Sequence, residues 1–313
     1  MATSGSTDFS VSRDTLIKAA MQHIGYIGEG DTPSATQYTE GAFLLNLITK
    51  ARMPDGMPLW ALKTGYVLPT TGVSSVSLGA SDNAVSSYTD TTTSAAASSG
   101  ASTIVVTSAT GFSNGYAIGI ELEDGTMQWT TINGAPSGTT ITLTATLTDD
   151  VASGAQVYAY STANRIVRPL RVVDAYIYNV VDDTRHPITV VSYDDYNRLG
   201  NPAATGVPNQ VYYDPQVGTG VLYINPRFLS GDNIIQIRYH RPYEDFDASA
   251  DEPDFPQEWY LPLMLELAAL LGPKAGVTKE ERAALFNEAK FYRDQALLNG
   301  TEEGSFYIQP DWR

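Results

Sequence analysis

The stretch that decides the fold is DFPQEWYLPLMLELAALLGPKAG followed by VTKEERAALFNEAKFYRDQALLNG, running from Asp254 to Gly300. It predicts two helices, at 255–271 and 278–299, joined by a turn at 272–276. The first helix is apolar on nearly every side, and such a helix must be buried by other elements or by another chain. The rest of the chain therefore has to help to cover it. The residues predicted to pack this helix, in its own core or between subunits, are Trp259, Leu263, Leu267 and Leu270.

The second helix of the pair has clear start and stop signals. Thr278 and Glu281 form a capping box, in which each side chain bonds the other's backbone N–H. Gly300 is the usual residue after a helix end. In the first helix, Pro262 either lies in the first turn, where no helical donor is lost, or kinks the helix.

Two more helices are predicted near the N-terminus, at 12–26 and 34–52. Each has an apolar face on one side only, and the apolar helix near the C-terminus is the obvious partner for both. We therefore expect the two ends of the chain to form one helical unit, with everything between them inserted. The residues predicted to lie on the inner side of the second helix are Phe43, Leu44, Leu47, Ile48 and Ala51.

The composition changes abruptly between residues 70 and 164, where Lys, Arg and His are absent and Ser, Thr, Gly and Ala dominate. Short alternating runs separated by Asp-Gly and Asn-Gly turns predict a small inserted all-β domain, a sandwich or a barrel. Within it, segment 79–101 is predicted to be a long loop, because its composition supports no core.

The predicted core resumes at residue 165 and continues to residue 300, so that together with residues 1–68 it surrounds the inserted domain. Strands are expected within 167–240, and three of them, at 210–213, 221–225 and 234–240, are predicted to form an antiparallel meander. The predicted fold class is α+β: a helical unit of N- and C-terminal helices, an antiparallel β region and the inserted β domain.

The bulk composition limits the possible functions. The 313 residues include no cysteine, so disulfides and thiolate chemistry are excluded. No apolar run approaches the ~20 residues that span a bilayer, and the N-terminus lacks the pattern of a secretory signal, so no membrane partner is expected. The formal net charge of −16 disfavours tight binding of nucleic acid, but it allows an acidic channel through which DNA slides.

A search for catalytic chemistry is mostly negative. His23, His186 and His240 lie in three unrelated elements, and none has a metal-ligand spacing to another His or to a Cys. Glu121 and Glu123 alternate on a predicted strand, which would place both carboxylates on one face. Their separation would be close to the lower end of the ~5–10 Å that a glycosidase needs across a cleft. A solvated strand end beside a turn is the simpler interpretation. No catalytic, cofactor or metal site is therefore predicted, and the chain is not expected to be an enzyme.

The last thirteen residues, 301–313, form a tail that is too short to fold alone. Large apolar side chains on such a tail usually dock, either on their own domain or on a neighbour. The anchors predicted for this docking tail are Phe306, Tyr307, Ile308 and Trp312.

The order of these elements resembles that of the head-to-tail adaptor proteins of short-tailed bacteriophages, also called tail accessory factors or packaged-DNA stabilisation proteins. The resemblance covers roughly residues 10–68 and 165–300. It rests on the strands VLYINP, ending at Pro226, and IIQIRYHRPY, and on the acidic linker before the helix start DFPQEW at Asp254–Trp259. The domain at 70–164 is a departure from the smallest adaptors.

The resemblance implies a structural virion protein made in the cytoplasm of the host bacterium and located in the neck, between portal and tail. Its copies would form a ring, typically of twelve, that binds the portal, extends the DNA channel and retains packaged DNA. The expected partners are other copies of the chain, the portal protein, tail nozzle or tail-fibre proteins, and DNA passing non-specifically through the channel. The tail at Ser305–Arg313 would reach into the portal.

Two other functions remain open from the residues alone. The inserted β domain could bind a glycan or a receptor, since its Ser/Thr/Gly composition fits, although no exposed aromatic triad is evident in its sequence. A glycoside hydrolase using Glu121 and Glu123 is the third possibility.

Overall fold

The computed structural model describes residues 5–53, 58–79 and 81–300. Helices and strands both contribute, and the predicted α+β class is confirmed. The α-helices of the described residues are α1 (Arg13–His23), α2 (Ala35–Arg52), α3 (Tyr193–Asn197), α4 (Tyr260–Ala275) and α5 (Lys279–Asn299). The strands of the same residues are β1 (Leu62–Val67), β2 (Ser75–Leu78), β3 (Ala84–Val85), β4 (Thr89–Thr92), β5 (Thr103–Val105), β6 (Ala117–Glu121), β7 (Met127–Thr131), β8 (Thr140–Thr142), β9 (Gln156–Tyr160), β10 (Arg171–Asn179), β11 (Thr184–Val190), β12 (Thr205–Gly206), β13 (Gln210–Asp214), β14 (Gly220–Asn225), β15 (Arg227–Phe228) and β16 (Asn233–His240).

The chain divides into two compact units. The helical unit comprises Met1–Ala61 and Tyr243–Arg313, and its described part contains α1, α2, α4 and α5. The β unit is Leu62–Pro242 and contains α3 and the strands. The two segments of the predicted core, 1–68 and 165–300, thus contribute helices to one unit and strands to the other.

In the helical unit, α4 packs against α1, α2 and α5. Nine of its residues are buried, because three helices surround it. Pro262 lies in its first turn, where a missing N–H costs no helical bond. The capping boxes at Ser34 and Thr278 are both formed. The first helix ends at His23, earlier than predicted, and Gly25 follows with a positive φ.

The turn predicted at 272–276 is wrong, because α4 continues through most of it. Pro273 has no N–H, so the carbonyl of Ala269 loses its usual helical donor. Arg282 of α5 replaces that donor: its Nε–H donates to the Ala269 carbonyl at 3.2 Å. Gly276, with φ of 78°, then ends α4 in the left-handed conformation. A side chain from the next helix thus compensates for the proline.

The β unit is built on an eight-stranded sheet in the order β2-β14-β13-β11-β10-β16-β1-β3. Neighbouring strands in it are antiparallel except β11 and β13, which are parallel. Alternate residues of β16, such as Ile235, Ile237 and Tyr239, enter one hydrophobic core. This period of two is the normal consequence of strand geometry.

The predicted three-strand meander is wrong in its last member. β13 and β14 pair, but β14 continues to β2, while β16 lies between β10 and β1. After β14 the chain leaves the sheet through β15, which pairs with β12 instead. The sequence signal of β1 is weak because it contains Lys63 and Gly65, two residue types that strands disfavour.

The smaller β region consists of a four-stranded sheet, β4-β9-β6-β7, and a two-stranded sheet, β5-β8. The predicted range 70–164 is wider than this region, since β2 and β3 belong to the eight-stranded sheet. The long loop predicted at 79–101 is also wrong, because it contains β3, with Val85 fully buried, and β4. The polar sequence of β4 does not predict a strand. Such a sequence is possible there because β4 is an edge strand whose side chains are at most half-buried.

Replacing Gly119 by alanine is expected to lower the free energy of unfolding of the β unit by about 1–3 kcal/mol through overpacking. A Cβ on this β6 residue would lie 2.6 Å from Cζ2 of Trp129. The indole has little freedom to move, since its Nε1–H donates to the carbonyl of Pro69 at 3.0 Å. Calorimetry of the β-unit transition checks this. Gly200→Ala is the control, because no atom lies within 4 Å of its Cβ position.

Candidate assembly surface

Three of the four predicted packing residues lie in the core of the helical unit. Trp259, Leu263 and Leu267 are buried, and Leu270 is half-buried against the same cluster. Trp259 belongs to an aromatic group in which its ring centroid lies 5.5 Å from that of Phe255. Trp60 and Tyr243 extend this group, with stacked rings at 5.0 Å. Within one chain, these residues serve intramolecular packing.

The sequence leaves α4 to be covered either by other elements or by another chain, and in the described residues other elements of the same chain cover it. Helices α1, α2 and α5 of the same chain bury most of its surface. Leu261 remains exposed and Leu270 half-buried. A binding surface for a second chain would therefore lie on the outer faces of the surrounding helices.

A buried ionic group joins three of these helices. Glu266 of α4 is buried, and its Oε2 accepts from Nε and Nη2 of Arg52 on α2, at 3.1 and 2.9 Å. Its Oε1 lies 3.6 Å from Nη1 of Arg293 on α5. A carboxylate in an apolar core is tolerated only with such partners. Glu266 thus fixes how α2 and α5 sit on α4.

The outer face of α2 carries two large apolar side chains. Phe43 is 62% exposed and Leu47 is 50% exposed, so their predicted inward orientation is wrong. Of the other residues predicted to face inward, Ile48 is buried and Leu44 half-buried, whereas Ala51 is exposed. The rest of the buried face is formed by Gly41, Leu45 and Thr49.

The orientation of α2 has a steric cause that hydrophobicity alone does not indicate. Any Cβ at Gly41 would lie 2.6 Å from Cγ2 of Ile17, so only glycine allows α1 to approach this closely. Thr49 is tolerated in the core because its hydroxyl donates to the carbonyl of Leu45 at 3.0 Å. Gly41, the smallest residue of the helix, therefore faces inward, whereas the large side chain of Phe43 faces outward.

Helix α5 also presents apolar side chains on its outer side. Phe291 is 57% exposed and Leu298 is 72% exposed, with Phe286 partly exposed one turn earlier. Residues 291 and 298 are seven apart and therefore share a helix face. The face is mixed, since Lys290 and Asp294 lie among the apolar residues.

The predicted docking anchors Phe306, Tyr307, Ile308 and Trp312 lie outside the described residues. The structure describes the chain only as far as Gly300, whose carbonyl accepts from the N–H of Leu59 at 2.8 Å.

The histidines do not form a site in the described residues. His23 and His186 are exposed, whereas His240 is buried. Burial, together with the nearby Arg171 and Arg238, lowers the pKa of His240, which favours its neutral form at pH 7. The described ranges contain no group of three or more residues able to hold a metal ion.

The carboxylate pair considered for a glycosidase is not arranged for catalysis. Glu121 accepts through Oε1 from the N–H of Gly231 at 3.0 Å and through Oε2 from that of Gln156 at 3.3 Å. Both of its oxygens therefore hold backbone in place, whereas Glu123 is exposed.

The aromatic residues of the inserted region are committed to packing. Tyr158 and Tyr160 are buried, and their hydroxyls donate to the carbonyl of Gly231 and to Oδ1 of Asn83. Trp129 is held by its bond to Pro69. These rings offer no platform for a glycan.

No family model matches this chain. No curated protein matches it significantly either. Among the described residues, no helix has the length and apolar character needed to cross a bilayer. The exposed apolar faces of α2 and α5 are therefore the features of the helical unit on which a functional proposal can be based.

Proposed function

We propose that the chain is a non-enzymatic subunit of a head-to-tail adaptor ring in the neck of a short-tailed bacteriophage. Identical copies bind beneath the portal, connect it to the tail, extend the DNA channel and retain packaged DNA. The copy number of twelve and the portal come from the resemblance of the sequence to this family.

The observation that carries the proposal is the presence of two apolar faces on different helices of one unit. Phe43 and Leu47 of α2 form one, and Phe291 and Leu298 of α5 form the other. A single self-complementary patch favours a two-fold dimer, whereas two different patches favour head-to-tail contacts, which close into a ring when the rotation permits. Each copy in such a ring uses α2 toward one neighbour and α5 toward the other.

The charge of the chain is compatible with this role. A net charge of −16 gives a ring a strongly negative field. Proteins that hold DNA do so mainly through cationic contacts to phosphate. A negative channel lacks the binding minima that would stall a moving duplex.

Deleting Ser305–Arg313 is expected to leave a folded, soluble chain that no longer assembles on the portal, because the aromatic anchors are lost. Portal rings of the same virus are mixed with either chain and imaged by electron microscopy. A second variant of unchanged length carries Phe306→Ser and Trp312→Ser, and it is also expected not to assemble on the portal. If the truncated chain still forms full rings on the portal, the tail does not act as a docking segment. A full-length chain that binds neither portal nor its own copies would contradict the proposed function itself.

A further inference from the structure

Four tyrosines form a cluster on the β unit that neither its core nor the proposed ring uses. Tyr193 and Tyr196 come from α3, Tyr212 from β13 and Tyr223 from β14. The ring centroids of Tyr193 and Tyr212 lie 5.7 Å apart, and Tyr212 and Tyr223 are stacked at 5.7 Å with an interplanar angle of 19°. Tyr196 lies 6.0 Å from Tyr212 and 5.5 Å from Tyr223. The four rings therefore form a continuous aromatic surface.

Strand geometry brings these rings together. Val211 and Leu222 are buried, so their neighbours Tyr212 and Tyr223 point to the opposite face of the sheet. Tyr212 and Tyr223 are register partners in the antiparallel pair, which places their side chains next to each other. The short helix α3 follows the capping residue Ser192 and adds its two tyrosines to the same cluster.

The aromatic surface is open to solvent. Tyr193 is 61% exposed and the other three are partly exposed. Beyond Tyr223 the next side chain in the row is Ser75 of the edge strand β2, which is too small to cover a ring. None of the four hydroxyls bonds to a protein group in the part of the chain that the structure describes. The surface thus combines ring faces with unused hydroxyl donors and acceptors.

The phenols of Tyr212 and Tyr196 stay protonated at neutral pH. Loss of hydration raises the pKa of Tyr212, and the carboxylate of Asp214 raises it further. Loss of hydration also raises the pKa of Tyr196, which Arg227 partly offsets. Because both shifts are upward from about 10, the hydroxyls remain neutral donors over the physiological range.

The charges around the cluster do not favour an anionic ligand. Three carboxylates, those of Asp194, Asp195 and Asp214, outnumber the guanidiniums of Arg198 and Arg227. Single-stranded nucleic acid binds to aromatic platforms that lie in positively charged grooves, and this surface has no positive excess.

We propose that this tyrosine cluster binds a neutral oligosaccharide. A pyranose ring presents a C–H face, which packs on an aromatic ring, and equatorial hydroxyls, which bond to phenols and carboxylates. Two successive 5.7 Å steps between ring centroids are comparable to the spacing of neighbouring sugars in an extended oligosaccharide. Asp194, which is exposed beside the cluster, accepts a sugar hydroxyl. This inference does not depend on the adaptor ring, and it places glycan recognition outside the inserted β region.

The full-length chain is tested on an array of neutral glycans and, in solution, with cellotetraose, maltotetraose and chitotetraose by saturation-transfer NMR. At least one neutral glycan is expected to bind with millimolar affinity or better. Tyr193→Ala combined with Tyr223→Ala is expected to weaken binding about tenfold or more, since two ring contacts are lost. Tyr116→Ala, which changes a partly buried tyrosine of the inserted region, is the matched control and is expected to bind normally.

Circular dichroism and assembly on the portal are expected to be unchanged in the double variant, which separates this test from that of the proposed function. Because Tyr193 is mostly exposed, Tyr193→Ala alone provides a second variant that keeps the fold. A chain that binds no neutral glycan would overturn the proposal. So would glycan binding that survives the double variant, or binding only of a proline-rich peptide or of single-stranded oligothymidine offered in parallel.

Discussion

Replacing Glu266 by alanine is expected to lower the free energy of unfolding of the helical unit by about 3–5 kcal/mol, the usual cost of removing one partner of a buried ion pair. The change leaves the guanidiniums of Arg52 and Arg293 in the core without their shared carboxylate. Both side chains keep some access to water, with 19% and 18% exposed, so the lower end of this range is expected. The substitution of Glu266 also removes the ionic link from α4 to both α2 and α5.

The measurement is urea unfolding followed by the helical signal in circular dichroism, because the four long helices of the described residues all lie in the helical unit. Glu288→Ala is the matched control, since this carboxylate is exposed on α5. It is expected to change stability by less than about 0.5 kcal/mol. Equal losses in the two variants would mean that the ionic group does not hold the three helices together.

Replacing Phe43 and Leu47 together by aspartate is expected to weaken association between copies about 100-fold or more. Burying one large apolar side chain stabilises a contact by about 1.5–3 kcal/mol, so removing two weakens association by at least about 3 kcal/mol. Each 1.4 kcal/mol changes the dissociation constant tenfold. The fold is expected to survive, because both side chains are exposed in the single chain. Mass photometry of the chain on portal rings measures the occupancy against concentration.

Val217→Asp controls for the general effect of removing an exposed apolar side chain. Val217 is fully exposed and lies in the turn between β13 and β14, far in sequence from α2. It is expected to assemble like the unchanged chain. If the α2 variant saturates the portal at the same concentration as this control, α2 does not contact a neighbouring copy.

The helices could be predicted from local signals, whereas the strand order could not. Capping boxes at Ser34 and Thr278 mark helix starts because the bonds involved span only three residues. The position of β16 between β10 and β1 depends on pairings across many residues, such as Leu62 with His240. No local pattern specifies such a partner, so the meander was the simplest prediction and was wrong for β16.

The orientation of α2 shows why hydrophobic periodicity is an incomplete guide. The spacing of the apolar residues favours Phe43 and Leu47 as inward residues. Packing against Ile17 instead selects Gly41, since shape decides how closely two helices approach. The exposed face of α2 was therefore hidden from the sequence, although it is the face on which the proposed function depends.

The tyrosine cluster could not be predicted from the sequence, for a related reason. Tyr196 and Tyr223 are 27 positions apart in the sequence, and neither alone indicates a binding surface. Only the register of β13 with β14 and the place of α3 bring them within ring contact. In the inserted region, where glycan binding was the alternative prediction, Tyr158 and Tyr160 are buried and Trp129 is hydrogen-bonded to Pro69.

The pairing of β1 with β16 has a consequence for how such a chain could have arisen. These strands are the first and last of the β unit, and they lie side by side, with Leu62 opposite His240. Paired backbones are separated by only about 5 Å, a gap that a tight hairpin spans. Recombination could therefore exchange the whole excursion between Ala61 and Tyr243 for a shorter or different one while preserving the spacing of the two cut ends. Modular replacement of this kind would let one helical unit be combined with many different inserted units.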